Sequence, residues 1–104
     1  MVGRLPRGIF MRLDDLPTPS LILDRTRLVR NIARFQGRAR DLGVILRPHL
    51  KTAKSARVAE LVTGGKGPIT VSTLAEATYF AKHGFRDITY AVPIVPAKLD
   101  LVAG

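Results

Sequence analysis

The chain has 104 residues, the size of one small domain, and 46% of them are hydrophobic, which excludes a disordered polypeptide. With no cysteine it has no disulfide and no thiolate nucleophile or metal ligand, as expected of a cytoplasmic protein. The formal charge of +9 invites a nucleic-acid reading, but the excess is lopsided: residues 1–58 hold 13 basic and 4 acidic side chains, residues 59–104 hold 4 and 4. No apolar stretch approaches the roughly 18 residues of a membrane span.

The first residues carry Arg4 and Arg7 with no acid before Asp14 and no apolar core of a secretory signal, so 1–14 are expected to be a flexible lead-in, with Met11 a sensible alternative start. Leu21-Ile22-Leu23 is predicted as a short strand after two prolines, and Asp24 as a helix N-cap. From Thr26 to Leu42 the apolar residues Leu28, Ile32, Phe35, Ala39 and Leu42 recur at helical spacing. Arg25, Arg27, Arg30, Arg34, Arg38 and Arg40 lie within or beside this helix. Phe35 falls on the apolar face and no nucleic-acid motif accompanies the arginines, so they read as a solvated exterior. Gly43 is placed to end the helix.

A strand over Val44–Arg47 follows, then a turn, then a helix from Ser55 to Val62 with Ala56, Ala59 and Val62 as its buried stripe. Gly64–Pro68 is a loop whose glycines match neither phosphate-binding spacing. Ile69–Val71 is the next strand, and Thr73 with Glu76 forms a capping box opening a helix that ends near His83 and Gly84. His83 is expected to meet that helix's last carbonyls. Asp87–Val92 is a further strand and Pro96–Val102 a last helix. Such alternation implies an α/β fold with parallel strands and right-handed crossovers. A small doubly wound sheet and the opening of a barrel both fit it.

Arg47-Pro48-His49-Leu50-Lys51-Thr52 stands where a predicted strand runs into a helix. Alternate strand residues share a face, so Ile45, Arg47, His49 and Lys51 point one way as the chain leaves the sheet. Pro48 confines the pattern to a strand end or an edge. Neighbouring cations and partial burial favour a neutral lysine amine, which can attack an aldehyde to form a Schiff base. Arg47 and His49 are placed to supply that field. The same string also fits a solvated surface lysine, and spacing does not choose between the two.

Three segments in order widen the comparison: Asp15-Leu16-Pro17-Thr18-Pro19-Ser20-Leu21, the Arg47–Thr52 hexapeptide, and Ile69-Thr70-Val71-Ser72-Thr73-Leu74-Ala75-Glu76-Ala77. Together they resemble the N-terminal part of the D-threonine aldolase and D-serine dehydratase group, fold-type III pyridoxal-phosphate enzymes related to alanine racemase. The resemblance runs from about Leu13 to Leu99 and implies the opening portion of an incomplete (β/α)₈ TIM-type barrel over 15–104, without its β-rich C-terminal domain. It implies that Lys51 carries pyridoxal 5′-phosphate as a Schiff base. His49 and Arg47 are candidates for supporting that lysine, and Thr52 and Ser55 for meeting the cofactor phosphate at the start of the next helix, with local packing the other reading of both.

One departure is Ala53, where a second histidine is common. The resemblance implies a lyase acting on small D-amino acids, by cleaving D-threonine-like β-hydroxy amino acids or dehydrating D-serine. Racemisation uses the same cofactor. A divalent metal and a homodimer belong to the full-length protein, with no nucleic-acid or membrane partner, and this stretch alone is expected to be inactive. Two other classes remain: a pyridoxal-phosphate carrier of the same superfamily, against which the Thr18-Pro19-Ser20 segment speaks, and a small basic nucleic-acid-binding domain.

Overall fold

A computed structural model describes residues 11–104. The expected lead-in therefore lies largely outside the described residues, and its last two residues enter a 3₁₀ turn at Leu13–Asp15. Helix α1 spans Arg25–Leu42. Asp24 caps it, accepting the Arg27 N–H at 3.0 Å, and Gly43 ends it at φ 66°, a left-handed conformation open to glycine without Cβ strain.

Helix α2 (Ala56–Thr63), strand β1 (Ile69–Val71), helix α3 (Leu74–Lys82) and strand β2 (Ile88–Tyr90) follow, then a 3₁₀ turn at Pro96–Lys98 and a short α4 (Leu99–Ala103). β1 and β2 are parallel, with Ile69 opposite Ile88 and Val71 opposite Tyr90. The capping box opens α3 as expected, Gly84 follows it at φ 90°, and His83 Nδ1 lies 2.7 Å from the Tyr79 carbonyl oxygen.

Two predicted strands are absent. Leu21–Leu23 is irregular and exposed, because among the described residues no neighbouring segment offers it backbone partners. Val44–Arg47 is also unpaired among the described residues, and backbone contact with the sheet begins at Pro48, four residues after the start of its apolar run. The Thr70 N–H donates to the Pro48 carbonyl at 2.8 Å and the Leu50 N–H to the Thr70 carbonyl at 3.0 Å, around a parallel bridge between His49 and Thr70. Pro48 has no N–H to give, so only its carbonyl joins the ladder. β1 thus lies between this segment and β2.

The core fills one side of the sheet. Leu50, Ala56, Ala59, Ile69, Val71, Phe80 and Phe85 form it, with Ala77, Ile88 and Tyr90 packed against them. The Phe80 and Phe85 rings meet edge to face at 5.7 Å. The other side is open. Arg47, His49 and Thr89 are exposed there and Thr70 is half-buried, while Leu46 and Pro48 are half-buried and Leu50 buried on the helix side. Exposure therefore alternates from Leu46 to Leu50 even where no ladder enforces it, but not at Val44 and Ile45, which are both exposed.

The α1 stripe is only partly covered. Ala39 is buried, Leu28 and Ile32 are half-buried and Phe35 is 61% exposed, beside a groove of about 450 Å³ facing Leu46, Pro48 and Leu50. Gln36 Nε2 ties α1 to α2 by donating to the Val62 carbonyl at 2.6 Å.

Candidate active site

Lys51 begins a three-residue bend between the sheet and α2. Its side chain is exposed and, among the described residues, forms no hydrogen bond or ion pair. Its backbone is held. The Lys51 N–H donates to His49 Nδ1 at 3.2 Å, which requires that nitrogen to be unprotonated. His49 is thus set to orient Lys51 through the main chain, on the open face of the sheet beside Thr70.

Arg47 shares that face but is turned elsewhere. Its guanidinium grips the Asp87 carboxylate with two hydrogen bonds, 2.7 and 3.0 Å, and donates to the Ile69 carbonyl at 3.3 Å. The hydrogen bond from Arg47, reinforced by its charge, holds the Asp87 carboxyl below its usual range against partial desolvation. The same bond raises Arg47. Asp87 directly precedes β2, so this clamp braces the N-terminal edge of the sheet. Lys51 leaves at the other end, about 13 Å further along an extended chain of four residues.

Ser55 is half-buried and caps α2, its Oγ accepting the Val58 N–H at 3.4 Å. The Ala56 N–H is also engaged, donating to the Tyr79 hydroxyl at 3.2 Å. Two donors that a phosphate at this helix start would use therefore have internal acceptors. Thr52 is exposed in the bend.

Three further residues shape the site: Lys54 and Tyr79, which the sequence did not mark, and Glu76, which it marked only as a cap. Glu76, 6% exposed, does more than close its capping box. Its Oε2 accepts the Ser72 N–H at 2.8 Å, the Ser72 hydroxyl at 3.3 Å and the Thr73 N–H at 3.2 Å. Lys54 Nζ stands 3.3 Å from its Oε1. Burial pushes this carboxyl up, but the bonds from Ser72 and Thr73 and the charge of Lys54 outweigh it and hold it below its usual range. Tyr79, one turn further along α3, is the third. Lys54 and Glu76 lie 22 positions apart, and no local spacing signals the pair.

The lysine bend is consequently pinned at both ends: by the Thr70 ladder before it, and by Glu76 and Tyr79 after it. Among the described residues no three His, Cys, Asp or Glu side chains cluster as metal ligands, and no helix is long and apolar enough to cross a membrane.

No protein-family model matches the chain. Among curated proteins it is 50% identical to a D-threo-3-hydroxyaspartate dehydratase of Delftia sp. over 81% of this chain and 22% of that enzyme. It is 35% identical to a D-serine dehydratase of Dictyostelium discoideum over 84% and 23%, and 38% identical to a D-threonine aldolase of Arthrobacter over 86% and 24%. The solved Delftia dehydratase superposes with a TM-score of 0.79 at 46% identity, covering 86% of this chain and 24% of that one. An alanine-racemase-like protein of Idiomarina loihiensis gives 0.72 at 48% identity, over 75% and 21%. The chain spans about a quarter of the length of the relatives it matches.

Proposed function

From the membership of this chain in the D-serine dehydratase and D-threonine aldolase group of fold-type III pyridoxal-phosphate enzymes, we propose that it supplies the cofactor-attachment end of a lyase acting on small D-3-hydroxy amino acids. In this reading the sheet is the opening portion of a (β/α)₈ barrel over 15–104, and its open polar face is the side on which the chemistry occurs. Helices cover one face only, the arrangement expected of barrel strands whose other face lines the interior.

The observation that carries the proposal is the setting of Lys51: an amine with no ion pair among the described residues, on a backbone held before and after it. Such an amine suits the aldehyde carbon of pyridoxal 5′-phosphate, and Lys51 is the residue that would hold it covalently. When bound, the cofactor supplies an electron sink for breaking bonds at the substrate's α-carbon. The chain's own contribution is positional. His49 Nδ1 receives the Lys51 N–H and keeps the lysine directed to the open face. Arg47 braces the opposite end of the same segment against the sheet through Asp87. Thr52 offers an exposed hydroxyl to the cofactor phosphate, whereas Ser55 offers only what its capping bond leaves free. A divalent metal and a second subunit, where the lyase uses them, find their ligands and contacts outside the residues described.

Borohydride trapping with pyridoxal phosphate, followed by peptide mass mapping, tests this on the chain and its Lys51→Ala form. Stoichiometric label on Lys51, lost in the variant, is the expected result. Label spread over Lys54, Lys66, Lys82 and Lys98 as evenly as over Lys51 would refute it.

A further inference from the structure

The contact between Lys54 and Glu76 joins the lysine bend to the helix that follows β1. Glu76 spends one oxygen on Ser72 and Thr73, while its other oxygen is fully buried and, among the described residues, has no hydrogen-bond partner. The only cation facing that oxygen is Lys54 Nζ at 3.3 Å, among the described residues. A buried carboxylate oxygen left uncompensated is costly, so the site draws in the one ammonium within reach. Lys54 lies three residues after Lys51, and the residues between them belong to no helix or ladder.

We infer that Lys54 and Glu76 form a latch that fixes the far end of the lysine bend, making both of them positioning residues for Lys51. The functional meaning of the latch rests on the proposed role of Lys51, but its existence does not. With the latch closed, the bend is anchored at Thr70 and at Glu76, and the Lys51 side chain leaves from a defined backbone. With the latch open, the bend keeps its first anchor and the Tyr79 bond to the Ala56 N–H beyond it, and the stretch between the two loosens. Holding an attacking group in one orientation is a recognised source of rate, and here it depends on a charge pair outside the reacting atoms.

Amide hydrogen exchange followed by NMR reads the latch in this chain without any cofactor. Lys54→Met removes the charge from the exposed partner, and Glu76→Gln keeps an acceptor for Ser72 and Thr73 while removing the charge from the buried one. In both, the Lys51 and Ser55 amides, bonded to His49 Nδ1 and the Ala53 carbonyl, should exchange about fivefold faster, the scale of one ion pair, while Thr70 and Ile69 stay unchanged. Lys54→Arg should restore slow exchange.

Borohydride-trapped label on Lys51, relative to Lys66 and Lys82, should fall in Lys54→Met and return in Lys54→Arg. Unchanged exchange at Lys51 and Ser55 in both variants would overturn the latch, as would acceleration that includes Thr70. Local acceleration in a chain whose wild-type form shows no preference for Lys51 would leave the latch standing and sink the cofactor reading instead.

Discussion

Tyr79→Phe removes one oxygen and tests whether α3 carries the start of α2. The Tyr79 hydroxyl accepts the Ala56 N–H at 3.2 Å, and Ala56 is 6% exposed. Without the oxygen, that N–H has no acceptor in a position where water is largely excluded. A buried donor left unpaired costs about 1–3 kcal/mol. Tyr79 is itself 38% exposed, which admits some water and places the expected loss near the lower end, about 1–2 kcal/mol. For a domain of this size that corresponds to a fall in Tm of about 5–15 °C. Urea unfolding followed by circular dichroism measures it, with an unchanged m-value showing that the denatured state is unaltered. The Ala56 amide should lose exchange protection at the same time. A loss below about 0.5 kcal/mol, the range of an ordinary surface substitution, would refute the reasoning and place the start of α2 under some other control.

Acid should loosen the same region. The Glu76 carboxyl lies below its usual range in the folded chain because the bonds from Ser72 and Thr73 and the charge of Lys54 overcome burial. Its contribution is therefore fully present above the unfolded value of about 4.3 and is lost as pH falls through the lower folded value. Stability measured against pH should decline more steeply below about pH 5 in the wild type than in Glu76→Gln, and equal slopes would refute this assignment. Two glycines should respond in opposite directions. A Cβ on either Gly37 or Gly43 meets open space, but Gly43 has φ 66° and Gly37 lies inside α1. Gly43→Ala should cost about 1 kcal/mol in backbone strain, and Gly37→Ala should gain about 0.5–1 kcal/mol in helix propensity, both read from urea midpoints.

Much of this fold is legible in local sequence because its ends are chemically marked. Asp24, Ser55 and Thr73 each cap the helix predicted from them, and Gly43 ends α1 in the conformation that made it a stop signal. These signals need only a few neighbouring residues. The two absent strands needed more, since an apolar run such as Leu21–Leu23 becomes a strand only beside another chain. Phe35 shows the same dependence: its helical phase is as read, yet it is exposed because little packs against that turn of α1.

At the site, the exposure of Arg47 and His49 on either side of half-buried Pro48 was legible, as period-two geometry is local. Where the guanidinium of Arg47 turns was not, because Asp87 lies 40 positions away. Glu76 was legible as a cap, but its tie to Lys54 required the tertiary approach of α3 to the lysine bend.

The division of labour in this group leads to a further expectation. The matched quarter is 50% identical to one dehydratase, 35% to another and 38% to a D-threonine aldolase, although the names describe different bond cleavages. The two dehydratases differ from each other in this respect by more than the aldolase differs from either, so identity over this segment does not follow the reaction. What the described residues build is an exposed lysine, a histidine that accepts its backbone N–H and the contacts that hold the bend. Grafting Leu13–Leu99 onto the Arthrobacter D-threonine aldolase in place of its matching segment should therefore leave a chimera that still cleaves D-threonine and eliminates no water from D-serine. The graft brings its own Lys54 and Glu76, so the bend keeps both of its anchors in the new host. Aldehyde release from D-threonine and keto-acid release from D-serine distinguish the outcomes directly. A chimera that changed from cleavage to dehydration would show that this segment selects the reaction and does more than hold the lysine.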